Sequence, residues 1–220
     1  MKAWAYSGLK QYLTCPRQYQ AQRVTKEIKS RPTEATIWGE WVHEQLELAI
    51  TEDKPLPDCL HNLLPVVDRI KRFGGELLAE YKLGAKRDLS PCGFDDADAW
   101  TRGIIDVCAV NGHRAMLIDW KTGSVRPTGQ LAQNALMVFA HYPEVTTIKC
   151  LFVWLKHNEV TQEIYKREDM MTVLNKFIPT VNQMEKSYET DVWPCKPSGL
   201  CRGWCDVKTC MYWEPGRKQR

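Results

Sequence analysis

Residues 116–124 of the chain, MLIDWKTGS, place an acid and a lysine two positions apart at the end of an apolar run. Alternate residues of a β-strand point to the same face, so a strand ending here sets Asp119 beside Lys121 and turns Trp120 to the opposite face. Thr122 and Gly123 then interrupt the strand pattern. The sequence therefore predicts a carboxylate and an ammonium group side by side at the end of a buried strand.

The hydrophobic periodicity around this strand predicts the remaining elements. A first helix is expected from a cap at Ser7 to Thr14, with a continuation that starts at Pro16 and reaches Gln22. Further helices are expected over 36–50, 58–79 with a break near Pro65, 130–140 and 167–188, and strands over 80–85, 100–110, 114–121, 147–156 and 159–165. NGH at 111–113 suits a hairpin turn. This order predicts an α/β fold with a mixed central β-sheet flanked by helices, an N-terminal helical part and a Cys-rich C-terminal loop.

Composition sets the class of protein. With 220 residues and 44% hydrophobic content, the chain can form one domain over 1–220, with 195–210 as a Cys-rich segment. A net charge of +3 and a pI near 8.3 permit a nucleic-acid partner without requiring one. No apolar run approaches the roughly 20 residues of a membrane span, and the first residues lack the apolar stretch of a signal peptide. We therefore expect a cytoplasmic protein with no membrane partner.

Three further residues can join the Asp119 and Lys121 pair. Asp106 lies on the preceding strand, which the hairpin brings toward the same region. The helix over 36–50 turns His43 toward the protein body, on one stripe with Leu46 and Ile50. Glu80 starts the strand before Asp106 and offers another carboxylate. Plain alternatives exist for all of them: a strand-end salt bridge for the pair, an ordinary turn-proximal acid for Asp106, a core residue for His43 and an exposed strand-start acid for Glu80.

Neighbouring carboxylates repel each other, and a divalent cation between them relieves the repulsion. Mg²⁺ prefers such oxygen ligands and keeps several of its waters. A water acidified by the metal and aligned by Lys121 would attack a phosphodiester. These residues therefore predict a hydrolytic centre.

Six stretches that follow one another in order over nearly the whole chain carry a resemblance to a known family: WAYSGLKQYLTCPRQYQ, IWGEWVHEQLE, EYKLGAKRDLSPCGF, WTRGIIDV, LIDWKTGS and GQLAQNALMVF. In these stretches the chain resembles the PD-(D/E)XK nucleases, which have a restriction-endonuclease-like core. It is most similar to the phage-encoded branch related to RecB-type nuclease domains and to CRISPR-associated DNA-capture exonucleases.

The resemblance implies a role for each matched residue. His43, Asp106 and Asp119 would ligate Mg²⁺ or Mn²⁺, Lys121 would be the catalytic lysine, and Glu80 matches an acid that related exonucleases use at the active site. Gln130 matches a helix glutamine that positions the substrate or the lysine. Many relatives carry tyrosine four residues later, where this chain has Asn134, and the proline of the family motif is absent from IIDV.

The cysteines form a second pattern. Nine cysteines in a chain without an export signal favour thiol ligands or core residues over disulfides. Cys201, Cys205 and Cys210 are close enough in sequence for one loop to surround a metal centre, but three thiolates need a fourth. Cys195 would complete a local Zn²⁺ site and Cys15 a 4Fe-4S cluster, and free cysteines are the remaining alternative. The resemblance favours the cluster, because RecB-type relatives often combine one early and three late cysteines.

We therefore expect a metal-dependent deoxyribonuclease, most simply an exonuclease in phage DNA recombination, replication or repair, with DNA as partner and recombination or replication proteins as further partners. Lys and Arg side chains would neutralise phosphates and aromatic rings would stack on unpaired bases. The rivals are a DNA-binding recombination accessory of the same fold and a structural zinc or iron-sulfur protein. Strand polarity, the preference for single or double strands, endonuclease against exonuclease action and oligomeric state are left open. The basic tail at 217–220 is expected to be solvated.

Overall fold

The computed structural model describes residues 3–28, 32–123 and 129–216, so the basic tail lies outside the described residues. The chain divides into two compact units. The terminal unit comprises the described parts of 3–31 and 176–220, and the sheet unit comprises those of 32–175. The expectation of one nuclease domain over 1–220 stays a prediction. Within the described ranges, no helix has both the length and the apolar character that a membrane span needs.

The sheet unit contains a six-stranded sheet in the order β2-β1-β3-β4-β5-β6. Only β4 and β5 pair in parallel, and the helix α5 connects them, whereas the other neighbours are antiparallel. The strands are β1 Glu76–Ala85, β2 Pro91–Cys92, β3 Thr101–Asn111, β4 Arg114–Lys121, β5 Thr147–Trp154 and β6 Glu159–Lys166. This sheet confirms the predicted mixed α/β fold.

Helices cover both faces of the sheet. On one face α3 (Glu34–Thr51) and α4 (Leu64–Lys71) bury a cluster that includes Val42, Leu46 and Trp120. On the other face α5 (Gln130–His141) buries Leu131 against Leu117. Parallel strands covered on both sides need apolar residues in near-continuous runs, which is why β4 is buried from Ala115 to Trp120. The sheet unit also contains α6 (Met170–Asn175).

The terminal unit joins the two ends of the chain. It contains α1 (Tyr6–Thr14), α2 (Pro16–Tyr19) with a π-helical turn over Gln20–Val24, and α7 (Ile178–Thr190). The Tyr12 hydroxyl lies 2.8 Å from Oγ of Ser187 and donates to the carbonyl of Gln183 at 2.9 Å. Tyr19 stacks on Trp193 with a centroid distance of 5.9 Å. Polar contacts therefore hold α1 to α7, and a stacked pair of rings holds α2 to the segment that follows α7.

Several predicted boundaries are wrong. The helix expected over 58–79 is a 3-10 turn over Asp58–Leu63 followed by α4, which begins at Leu64 with Pro65 in its first turn and ends at Lys71. Gly74 and Gly75 then adopt positive φ angles between α4 and β1. β1 therefore starts earlier than expected, and Glu80 lies in its middle. Ser7 does not cap α1, since Ala5 occupies the cap position.

The C-terminal helix expected over 167–188 is divided into a 3-10 turn, α6 and α7. Pro179 accounts for the interruption before α7, since proline is tolerated in the first turn of a helix but not in its interior. The short strand β2 was not predicted. The hairpin turn is confirmed: Asn111 pairs with Arg114, and Gly112 has φ 56°.

Candidate active site

Glu80 and Asp106 face each other across β1 and β3 at an irregular point of the sheet. The ladder pairs Ala79 with Val107 and Tyr81 with Ile105 but contains no pair between them, and Glu80 has φ 46°. A left-handed conformation is uncommon for a residue with a side chain. The backbone is thus distorted where two carboxylates meet.

This distortion reverses the alternation of both strands. In β1, Leu77 packs on the α3 face, but after Glu80 the odd-numbered Leu83 packs on the α5 face. In β3, Val107 packs on the α3 face and Ile105 on the α5 face, so the same reversal occurs at Asp106. Past Glu80 in β1 and Asp106 in β3, side chains therefore face the opposite side of the sheet from the one that uninterrupted alternation predicts.

The strands β3 and β4 stop pairing at the same level. Their last pair before the site is Val107 with Ile118, and the next pair in that register would be Asp106 with Asp119. Instead, the carboxylate of Asp106 accepts a hydrogen bond of 2.8 Å from the backbone N–H of Trp120. Glu80, Asp106 and Asp119 thus form one row across three strands.

His43 reaches this row from α3. Its Nε2 lies 3.1 Å from the carbonyl oxygen of Trp120, and because a carbonyl only accepts, Nε2 carries the proton. Nδ1 faces the acids, 3.5 Å from Asp106 and 3.9 Å from Glu80. The ligand atoms of His43, Glu80 and Asp106 all lie within 4.8 Å of one another. The helix therefore directs Nδ1 of His43 at two carboxylates.

Burial and mutual repulsion dominate the electrostatics of the site. Burial, and then the charge of Asp119, raise the pKa of Asp106 to about 7. Burial also raises the pKa of Asp119, against the opposing effect of Lys121. Burial alone would lower the pKa of His43, but Glu80, Asp106 and the Trp120 carbonyl together raise it. Burial and the closeness of the acids therefore oppose ionisation of the Asp106 and Asp119 carboxyls.

Asp119, Lys121 and Gln130 form the other half of the site. The Lys121 ammonium forms an ion pair with the almost fully buried Asp119 carboxylate and donates a 3.0 Å hydrogen bond to Oε1 of Gln130. Gln130 also hydrogen-bonds Asp119, which lowers the pKa of that carboxyl. Because the first residue of α5 contacts both groups, it fixes the direction of the lysine.

The residue one turn after Gln130 has a different environment. Asn134 is buried, its Oδ1 lies close to Gly103 of β3, and among the described residues its Nδ2 has no hydrogen-bond partner. Its neighbour Gln133 donates to the hydroxyl of Thr101 at 2.7 Å. The position where many relatives carry tyrosine is therefore occupied here by a small amide against a glycine backbone.

The cysteines of the terminal unit share one pocket. It is lined by five half-buried thiols: Cys15, Cys195, Cys201, Cys205 and Cys210. Burial raises the pKa of Cys205, and Cys15, Cys201 and Cys210 add to that rise through charge interactions. The structure thus brings Cys15 to the three late cysteines, and it places Cys195 in the same pocket.

An α/β sheet whose adjacent strands present an Asp and a D-x-K pair, with a further acid and a histidine beside them, defines a nuclease of the PD-(D/E)XK type. A sequence profile of the PD-(D/E)XK nuclease superfamily matches residues 3–210. The chain therefore belongs to this superfamily.

Two solved structures show the same fold. The chain is similar to a candidate exonuclease from Eubacterium rectale, with 10% identity, a TM-score of 0.54, and coverage of 93% of this chain and 86% of that one. It is also similar to the protein named SSO0001, with 12% identity, a TM-score of 0.52, and coverage of 98% and 89%. Among curated proteins, no sequence match was found.

Nucleases of this superfamily use divalent metals, and the donor set fits such an ion. One imidazole nitrogen and two carboxylates converge, and a cation among them would favour the ionised form of Asp106, which burial and the charge of Asp119 oppose. Asp119 lies outside that convergent set and is held by Lys121. Its role as a ligand stays a prediction.

Sequence reasoning missed the part played by the backbone of Trp120. Its N–H fixes Asp106 and its carbonyl fixes His43, so one peptide segment orients two side chains from different elements. Backbone groups leave no residue-type signal. The sequence indicated only that Trp120 turns to the opposite face, where the structure buries its ring.

Proposed function

We propose that the protein is a Mg²⁺- or Mn²⁺-dependent deoxyribonuclease that acts as an exonuclease in phage DNA recombination, replication or repair, in the host cytoplasm. The observation that carries this proposal is the convergence of Nδ1 of His43 with the Glu80 and Asp106 carboxylates beside the Asp119 and Lys121 pair. The match to nuclease motifs over most of the chain supports DNA as the substrate.

His43, Glu80, Asp106 and Asp119 would hold the ion. When bound, the cation supplies a Lewis acid that lowers the pKa of water and neutralises phosphate charge. Lys121 aligns the attacking water and stabilises the negative charge that develops on the phosphate as the new P–O bond forms and the old one breaks. Gln130 keeps the ammonium in place through its 3.0 Å contact.

The exonuclease action can be tested on end-labelled linear DNA and on covalently closed circular DNA of the same sequence, each with Mg²⁺ or Mn²⁺. We expect the linear DNA to lose mononucleotides or short fragments from its ends and the circle to stay intact. Separate 5′ and 3′ labels, on single and double strands, give polarity and strand preference. Rapid nicking of the circle would contradict exonuclease action, and intact linear DNA with either metal would contradict a nuclease.

We also propose that Cys15, Cys201, Cys205 and Cys210 hold a 4Fe-4S cluster in the terminal unit. Support comes from their common pocket and from the backbone N–H of Lys196, which donates to Sγ of Cys15 at 3.5 Å, as expected around a sulfur ligand. Such a cluster would connect the two ends of the chain.

The cluster proposal has its own measurement. Protein purified without oxygen should be brown and contain iron and inorganic sulfide, and Cys15→Ser should lose both. Cys59→Ser is the matched control, because Cys59 is exposed and lies outside the pocket. A colourless protein that binds one Zn²⁺, lost in Cys195→Ser and kept in Cys15→Ser, would replace the cluster by a local zinc site.

A further inference from the structure

The thiol pocket contains one cysteine more than a four-ligand centre uses. Sγ of Cys195 lies 3.7 Å from Sγ of Cys210, which is the contact distance of two unbonded sulfurs. Cys195 also interacts electrostatically with Cys15. A thiol that is placed against a proposed ligand, without being one itself, needs an explanation of its own.

The backbone on both sides of Cys195 is fixed. The carbonyl of Pro194 accepts a hydrogen bond from the N–H of Arg17 at 3.3 Å, and Lys196 donates through its N–H to Cys15 and through Nζ to the carbonyl of Leu13 at 2.8 Å. The sulfur of Cys195 is thus held beside Cys210 by contacts that do not involve Cys210.

The backbone of Cys210 is fixed in the same way. Its N–H donates to the carbonyl of Val207 at 3.1 Å, and its carbonyl accepts from the N–H of Trp213 at 2.9 Å. A disulfide needs an S–S distance of about 2.05 Å. Since the two sulfurs are already in contact, torsions of the two side chains can supply most of that approach.

We propose that Cys195 and Cys210 are a redox pair that closes to a disulfide in the presence of hydrogen peroxide, and that this disulfide removes Cys210 from the set of metal-binding thiols. Cys195 is then the resolving thiol of the pocket.

The reaction balances with peroxide as the oxidant. The Cys210 sulfur attacks one peroxide oxygen, the O–O bond breaks, and Cys210 sulfenic acid and one water result. The Cys195 sulfur then attacks the Cys210 sulfur, the S–S bond forms, and the sulfenic oxygen leaves with the thiol proton as a second water. Two thiols are oxidised and one peroxide is reduced.

The test is mass spectrometry of metal-free full-length protein, alkylated and digested before and after treatment with hydrogen peroxide. We expect two of the nine thiols to become unavailable for alkylation and one cross-linked peptide pair to join Cys195 with Cys210. Dithiothreitol should restore all nine. Cys195→Ser should give no cross-link, whereas Cys59→Ser should give the same one as the parent.

Two results would overturn the pairing. One is a cross-link between Cys210 and a cysteine other than Cys195, and the other is irreversible oxidation of Cys210 without any disulfide. Both are read on unfolded peptides, so they do not depend on nuclease activity or on the identity of the metal.

The consequence for loading rests on the proposed cluster. Peroxide-treated parent protein should take up no iron and sulfide until dithiothreitol reduces its disulfide. Treated Cys195→Ser contains only a sulfenic acid, so it should recover loading at a lower dithiothreitol concentration than the parent. If untreated parent protein takes up no iron, the cluster proposal fails. The mass-spectrometric map then still shows whether Cys195 and Cys210 form a disulfide. Equal loading of treated and untreated parent protein would contradict the proposal that the disulfide removes Cys210 from the metal-binding thiols.

Discussion

Asp106 accepts a 2.8 Å hydrogen bond from the N–H of Trp120 at the level where β3 and β4 stop pairing. The side chain of one strand thereby replaces a lost backbone contact of the other. Because the Trp120 carbonyl also holds His43, any movement of this segment shifts a carboxylate and an imidazole together.

Asp119→Ala and Lys121→Ala should each lower the cleavage rate on the order of 10²–10⁴-fold. Asp119→Ala should also weaken metal binding, whereas Lys121→Ala should keep the cation and lose only alignment of the water and stabilisation of charge. Cleavage assays and calorimetric metal titration separate the two effects. Lys166→Ala, on the far edge of the sheet, is the control, and parental rates in both variants would place the active site elsewhere.

His43→Ala should weaken metal affinity and shift the preference between Mg²⁺ and Mn²⁺, since a nitrogen ligand suits Mn²⁺ better than Mg²⁺. The reason is that Nε2 is committed to Trp120, which leaves Nδ1 for the ion. Metal dependence of cleavage is the measurement. A variant with unchanged metal dependence and only a lower melting temperature would identify His43 as a core residue.

Metal affinity should rise with pH and level off above about 7, the value to which burial and Asp119 raise the pKa of Asp106. Below that pH the carboxyl holds a proton that the cation must displace, so affinity falls by up to roughly tenfold per pH unit. Titrations at several pH values, in buffers of different ionisation enthalpy, report the proton released. Asp106→Asn should bind more weakly and with a shallower dependence on pH.

Glu80→Gly should be more stable than Glu80→Ala by about 1 kcal/mol, because only glycine adopts φ 46° without steric cost. Both variants lose the carboxylate, so both should lose metal affinity and activity. Urea denaturation of the metal-free proteins measures the difference. Equal stability would mean that the backbone at this position relaxes once the acid is gone.

Gln130→Ala and Gln133→Ala form a matched pair on α5. Gln130→Ala should slow cleavage with little loss of stability, because its half-exposed amide orients Lys121. Gln133→Ala should lower the free energy of unfolding by about 1–3 kcal/mol, since it leaves the buried Thr101 hydroxyl without this donor. The opposite pattern would mean that Gln133, and not Gln130, orients Lys121.

The sequence by itself determined the strands and turns that have a strong local pattern, and it determined which acidic and basic side chains those strands carry. The apolar run of β4, the hairpin at Gly112 and the i, i+2 relation of Asp119 and Lys121 follow from local rules of strand geometry and turn conformation. The resemblance to nucleases rests on the same local motifs, which is why the family could be predicted before any contact was known.

Only the tertiary structure decided how these pieces meet. The left-handed backbone of Glu80, the reversed alternation at Asp106 and the two hydrogen bonds of the Trp120 backbone arise where three strands and a helix compete for the same space. Local periodicity contains no information about contacts between elements that are distant in sequence. The contact of Cys195 with Cys210 likewise depends on the hydrogen bonds that Pro194 and Lys196 form with residues near the other end of the chain, and no local pattern links residues so far apart in sequence.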